Sequence, residues 1–108
     1  MERLGGDRAF LAELAALFEE SYPGQMAQMR EAVADADAPA LRHTAHALKG
    51  AALSLQAAAV AEAARRLEEM GRSGDLADAA GALDVLERDL HRLRASLRDF
   101  VAGQGGSA

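Results

Sequence analysis

Three histidines, His43, His46 and His91, are the side chains of this 108-residue chain best suited to nucleophilic or proton-transfer chemistry near neutral pH. Helical geometry separates them. Leu41, Ala45, Leu48, Ala52 and Leu55 alternate steps of four and three, which marks one buried stripe. With that stripe turned inward, His46 stands roughly 140° away and faces solvent. Lys49 follows one turn on, roughly 60° around the helix from His46, and Arg42 precedes it by one turn. Gly50 lies almost beneath His46 on the same surface, and Leu53 is on the same outer strip. His43 points further around the helix, while His91 sits between Leu90 and Leu93 on another segment.

A surface histidine taken alone is usually just solvated; its neighbours are what single out His46. Lys49 is the sole lysine among twelve cationic residues, and its ammonium is placed to neutralise an anion carried by the imidazole. Glycine in a helix interior costs about 1 kcal/mol relative to alanine. The chain uses alanine 27 times. A glycine at position 50 therefore suggests that something approaches the backbone closely there. The combination describes a shallow, basic, partly apolar surface around one nucleophilic imidazole. It does not describe a pocket.

The elements that must position this surface are helices. Ala and Leu supply 27 and 15 of the apolar residues, Ile is absent, and Val and Thr together number five. So few β-branched residues cannot furnish a normal sheet, whereas Ala, Leu, Arg and Glu are strong helix formers. Asp7, after Gly5-Gly6, can cap a first helix carrying Phe10, Leu14 and Leu17. Ser21-Tyr22-Pro23-Gly24 interrupts it, and Pro23 suits the first turn of a second helix with Met26, Met29 and Val33. Asp37 can cap a third helix, from about Ala38 to Leu55, with Pro39 in its first turn. A break near Gln56-Ala57 leads to a fourth with Val60, Ala64 and Leu67. Gly71 to Asp75 ends it, with Gly for the stop and Asp75 for the next cap. Leu76, Leu83, Leu86, Leu90, Leu93 and Leu97 then keep the seam of a long last helix.

Five segments with short connections predict an all-α, antiparallel up-and-down four-helix bundle with an extra N-terminal helix. The bundle is expected over residues 1–102, and Gly-rich 103–108 reads as a flexible tail or linker remnant. The short ends lean toward a piece of a larger chain. No run approaches the length of a membrane span, and there is no signal-peptide pattern. The absence of cysteine favours a cytoplasmic home and excludes disulfides, thiol nucleophiles and zinc-thiolate sites. A net charge of −5 without a basic cluster argues against nucleic acid as partner. The chain is too short for a kinase or nucleotide-binding domain and has no Gly-rich phosphate loop.

His46-Ala47-Leu48-Lys49-Gly50, preceded by Thr44-Ala45, resembles the phosphorylation motif of histidine-containing phosphotransfer (HPt) domains, the relay modules of multistep two-component signalling. The resemblance extends over most of the chain. Gly6 to Leu11 with Leu17-Phe18 is similar to the family's opening helix, Asp35 to Asp37 to the turn before its active helix, and Ala64 to Glu68 with Gly74-Asp75 to the region beyond. It implies that His46 is the phosphorylated residue, that Lys49 steadies the phosphoryl oxygens, and that Gly50 leaves room for the partner, with Arg42 and Leu53 on the same docking face. Glu68 matches a position where the family often has Gln or Glu bonded to the imidazole. If Glu68 accepts from Nδ1–H, the lone pair stays on Nε2, which becomes the attacking atom. The implied partners are response-regulator receiver domains and hybrid histidine kinases. Mg²⁺ is expected on the receiver, and no cofactor on this domain, which would act as a monomer without kinase activity of its own. One departure is clear: where the family often has Gly after the active helix, Gln56 or Ala57 stands here.

Other readings fit less well. A metal-binding bundle would want Glu-x-x-His pairs facing inward, and none is present. A plain helical interaction or dimerisation domain explains the leucine seam but not Lys49 and Gly50. A dimeric sensor-kinase helix pair lacks the Pro usually found after its histidine. The phosphorylated domain of a chemotaxis-type kinase is the closest variant.

Overall fold

The structure, a computed structural model, describes the backbone of residues 2–106 and the side chains of residues 9–99. Four helices account for the described chain: α1 (Glu2–Ala34), α2 (Ala38–Ser54), α3 (Ala58–Ser73) and α4 (Ala79–Gly106). They pack in a ring, α1 on α2, α2 on α3, α3 on α4 and α4 back on α1. No strand occurs among the described residues, and no helix there is long and apolar enough to cross a membrane.

The extra N-terminal helix does not exist as a separate element. The two segments expected on either side of Pro23 are one helix of 33 residues. A proline inside a helix removes one backbone hydrogen bond and costs about 3 kcal/mol. Here the opposing contribution is tertiary. Phe18, Tyr22, Met26 and Met29 recur at steps of four, four and three, and all four are buried. A break at Pro23 would put the halves of that stripe out of phase. The Phe18 and Tyr22 rings stack with centroids 5.4 Å apart, while Pro23 itself lies on the exposed side. Asp7, expected to cap a first helix, is likewise inside α1, since Gly5-Gly6 weakens a helix without forbidding its geometry. At the other end α4 continues through residues 103–106, where composition suggested a tail; Ser107 and Ala108 lie outside the described residues.

The two joints flanking α2 are built alike. Ala36 and Gln56 both adopt the left-handed conformation, with φ of 55° and 57°. At each joint two backbone bonds close the turn: Ala36 N–H to Val33 and Asp37 N–H to Ala32 at the first, Gln56 N–H to Leu53 and Ala57 N–H to Ala52 at the second. This is the Schellman arrangement, which usually recruits glycine at the left-handed position. The chain completes it with Ala and Gln, at a cost of about 1–2 kcal/mol per site. Asp37 then caps α2, its carboxylate accepting from Ala40 N–H at 3.1 Å. Ala57 takes the same place before α3 without a side chain able to cap. Asp75, expected to cap the last helix, instead accepts from Ala77 N–H in the turn before it.

The core is a thin column of leucine and alanine. Leu41, Leu48, Leu67, Leu83, Leu86 and Leu90 are fully or almost fully buried, as are Ala45, Ala52 and Ala64. Small residues at these positions let the axes approach, and Gly71 makes one such close approach. This glycine does not stop α3, a role that falls to Gly74 with φ of 82°. Gly71 is buried against the first turns of α2, and a Cβ there would lie 2.6 Å from the Arg42 nitrogen and 2.8 Å from the Ala38 carbonyl oxygen. Because these are backbone atoms, α2 and α3 would have to separate. Gly71→Ala is expected to lower stability by about 1–3 kcal/mol despite alanine's better helix propensity. Thermal unfolding checks this, at roughly 4–8 °C per kcal/mol.

Candidate functional site

The contact at Gly71 sets the register of α2 against α3. The helices are antiparallel neighbours, so one turn forward from Arg42 on α2 meets one turn back from Gly71 on α3. Those positions are His46 and Glu68. Glu68 Oε2 accepts from His46 Nδ1 at 2.8 Å. Lys49, a further turn along α2, donates from Nζ to Glu68 Oε1 at 2.7 Å. One carboxylate thus holds two partners, one per oxygen.

Exposure grades steeply across the three residues. The side chain of Glu68 is 8% exposed, that of Lys49 26% and that of His46 67%. The carboxylate is therefore buried between the helices and the imidazole stands out from them. A buried carboxylate would ordinarily be pushed toward its neutral form. In Glu68 the hydrogen bond from the Lys49 ammonium outweighs this desolvation, and the bond from His46 adds to it, so its carboxyl lies below the ordinary glutamate value. Glu68 is accordingly an anion at neutral pH. With Oε2 anionic, the proton of a neutral His46 belongs on Nδ1 and the lone pair on Nε2.

An open depression of about 520 Å³ lies beside the imidazole, lined by Pro39, Arg42, His43, His46, Glu68 and Arg72. Arg42 thus falls next to His46, as the helical spacing suggested. Gly50 is exposed, and a Cβ there would meet nothing within 4 Å. Leu53 is 60% exposed. Lys49 is engaged with Glu68 rather than free beside the imidazole. Arg72 was not singled out by sequence; the available signal was its place four residues after Glu68, one turn along the same face of α3. It also lies 3.3 Å from Glu69. No group of three or more His, Asp or Glu suited to hold a metal occurs among the described residues.

The surface is thus a solvent-exposed imidazole whose inner nitrogen is held by a buried anion and whose outer nitrogen is open. Comparison with known proteins places the chain among its relatives. A family model described as Hpt domain matches residues 13–96. The crystal structure of histidine-containing phosphotransfer protein B from Pseudomonas aeruginosa PAO1 is similar at a TM-score of 0.78 and 30% identity, covering 82% of this chain and 76% of that one. Comparison with curated proteins gives no match.

The carboxyl of Glu68 makes a testable contribution to stability. Its pKa is lower folded than unfolded, so the stabilisation is complete above the ordinary value of 4.5 and is lost as the pH falls through the folded value. Wild type is expected to be more stable than Glu68→Gln at neutral pH. The difference in Tm should shrink on acidification below pH 4.5. A difference that is constant with pH contradicts this account of Glu68.

Proposed function

The chain belongs to the Hpt domain family, and from that we propose that Nε2 of His46 carries the phosphoryl group in transit. The protein is a phosphotransfer intermediate of phosphorelays, and its partners are receiver domains and histidine kinases. The observation that carries the assignment to His46 is its bond to Glu68: a 67% exposed imidazole is oriented through Nδ1 by a carboxylate that is itself buried.

In the forward step, the Nε2 lone pair attacks the phosphorus of an aspartyl phosphate on a receiver. An N–P bond forms, the acyl P–O bond breaks, and the receiver recovers its carboxylate. Glu68 keeps the Nδ1 proton hydrogen-bonded as positive charge develops on the ring. The reverse step onto a second receiver returns the lone pair to Nε2. Such transfers depend mainly on alignment and on neutralising the phosphoryl oxygens. We place Mg²⁺ and the acceptor aspartate on the receiver, so this domain supplies a rigid, exposed nucleophile. That division of labour accounts for phosphoryl chemistry in a chain too small for a nucleotide site.

The receiver would dock over Arg42, Gly50 and Leu53. The bare backbone at Gly50 admits it closely, Leu53 offers apolar area, and Arg42 gives a net-negative chain a local positive edge toward an acidic pocket. Charges at such a rim act mostly on association rate. The working form proposed is a monomer in the cytoplasm.

Two experiments test this reading. Treated with phosphoramidate, or with a receiver domain charged by acetyl phosphate, the protein is expected to gain an acid-labile, base-stable phosphoryl group located on His46 by mass spectrometry. With the charged receiver as donor, His46→Gln should reduce labelling to background; a label retained in that variant overturns the assignment. Gly50→Ala should stabilise the fold by about 1 kcal/mol, since the helix gains and nothing is obstructed within the chain. The same variant should accept phosphoryl from a receiver more slowly while its reaction with phosphoramidate is unchanged.

A further inference from the structure

We propose that Lys49 is a positioning residue that acts on His46 through Glu68, and that it is lysine because only a single-point cation leaves the second carboxylate oxygen to the imidazole. The inference deepens the reading of His46 as phosphoryl carrier and rests on it for its catalytic consequence. Its structural part stands on the three side chains alone.

The geometry is a division of one carboxylate between two donors. Lys49 Nζ takes Oε1 at 2.7 Å and His46 Nδ1 takes Oε2 at 2.8 Å. The lysine side chain is three-quarters buried and turned toward α3, whereas the imidazole is two-thirds exposed. The ammonium therefore lies on the inner side of the pair, on the carboxylate, and Nε2 is on the outer side. An ammonium is a compact charge that can satisfy one oxygen. A guanidinium is a planar fork that matches both oxygens of a carboxylate and tends to claim both. Eleven of the twelve cationic residues are arginine, and the single lysine stands at the one described carboxylate that also serves an imidazole.

Two consequences follow for His46. With Oε1 occupied, the carboxylate cannot rotate freely, and Oε2 is presented to Nδ1–H. The Lys49 ammonium also offsets the charge of the carboxylate at Oε1. Unneutralised, a buried anion 2.8 Å from an imidazole would favour the imidazolium form, which has no lone pair to attack with. The pair Lys49–Glu68 is also neutral as a unit, so it does not repel an arriving phosphoryl group. The other charged or titratable groups around His46 are Arg42 and His43 from α2 and Arg72 from α3. Glu69 lies beside Arg72, and Arg65 acts on Glu68 from a distance. None of these has a hydrogen bond or ion pair to the Glu68 carboxylate.

The experiment is a double-mutant cycle with two readouts: the His46 pKa from NMR titration and the rate of phosphorylation by phosphoramidate, both in a background with His43→Gln and His91→Gln so that His46 is the one ring left. Lys49→Met is expected to raise the His46 pKa by about one pH unit, a tenfold change in the ratio of protonated to neutral ring. It should slow phosphorylation at neutral pH. In the Glu68→Gln background the same substitution should change neither quantity appreciably. Lys49→Arg should resemble Lys49→Met, because the fork displaces the imidazole. If Lys49 acted on the phosphoryl oxygens directly, its loss would cost as much in the Glu68→Gln background as with Glu68 in place, and arginine would substitute well for it; either result overturns the proposal. Chemical-shift dispersion and thermal melts of each variant confirm that the fold is retained. Should Lys49→Met alone unfold the domain, the comparison of wild type with Lys49→Arg decides the matter. Failure of the carrier reading looks different: the pKa coupling would persist while no phosphoryl group appears on His46.

Discussion

A carboxylate buried between two helices is the constraint around which this domain is arranged. Glu68 sits where desolvation penalises its charge, and it remains charged because a lysine and a histidine of the neighbouring helix each satisfy one of its oxygens. Removing one partner of such a group is costly, because it leaves a buried charge uncompensated. The arrangement therefore ties the electrostatics of α3 to the orientation of a side chain on α2. What is exposed at the surface, one imidazole nitrogen, is determined by what is satisfied beneath it.

That link depends on packing of high precision from residues with almost no side chain. Gly71 lets the backbone of α2 come within contact distance of α3, and Ala45, Ala52 and Ala64 are buried without residual exposure along the core. The fold thus resembles a scaffold more than a pocket. The depression beside His46 is open. In the proposed relay role a partner must reach the phosphorus in line and leave afterwards, and a protruding imidazole on a helix suits that better than a cleft. The long α1 and α4, with 33 and 28 residues against 17 and 16 for α2 and α3, frame this shorter pair.

Local preferences are overruled where burial is at stake. Pro23 lies inside α1 because Phe18, Tyr22, Met26 and Met29 need one continuous register. Ala36 and Gln56 accept left-handed backbone because both turns must close tightly to return the chain antiparallel. Gln56 is informative in this respect. The position that a family resemblance marks as glycine keeps the glycine conformation without the glycine. These are small local costs set against a core shared by all four helices.

The helical class, the bounds of α2, the outward face of His46 and the neighbourhood of Arg42, Lys49, Gly50 and Leu53 were legible in the sequence, because each follows from periodicity or capping within a single helix. Asp37 and Pro39 announce where α2 begins, and the Leu41–Leu55 stripe fixes which way it faces. Among features that involve two elements, the Glu68–His46 bond was anticipated only through the family resemblance, and the others were not legible. Pro23 reads as a boundary until the core stripe across it is known to be buried. Gly71 reads as a stop signal until Arg42 and Ala38 are found against it. Lys49 reads as a free cation until Glu68 is found to hold it. Periodicity gives direction around an axis, but the distance between axes and the register along them arise only when two helices meet. The chemistry of His46 depends on that meeting, since its inner nitrogen is bonded to a residue that lies on a different helix.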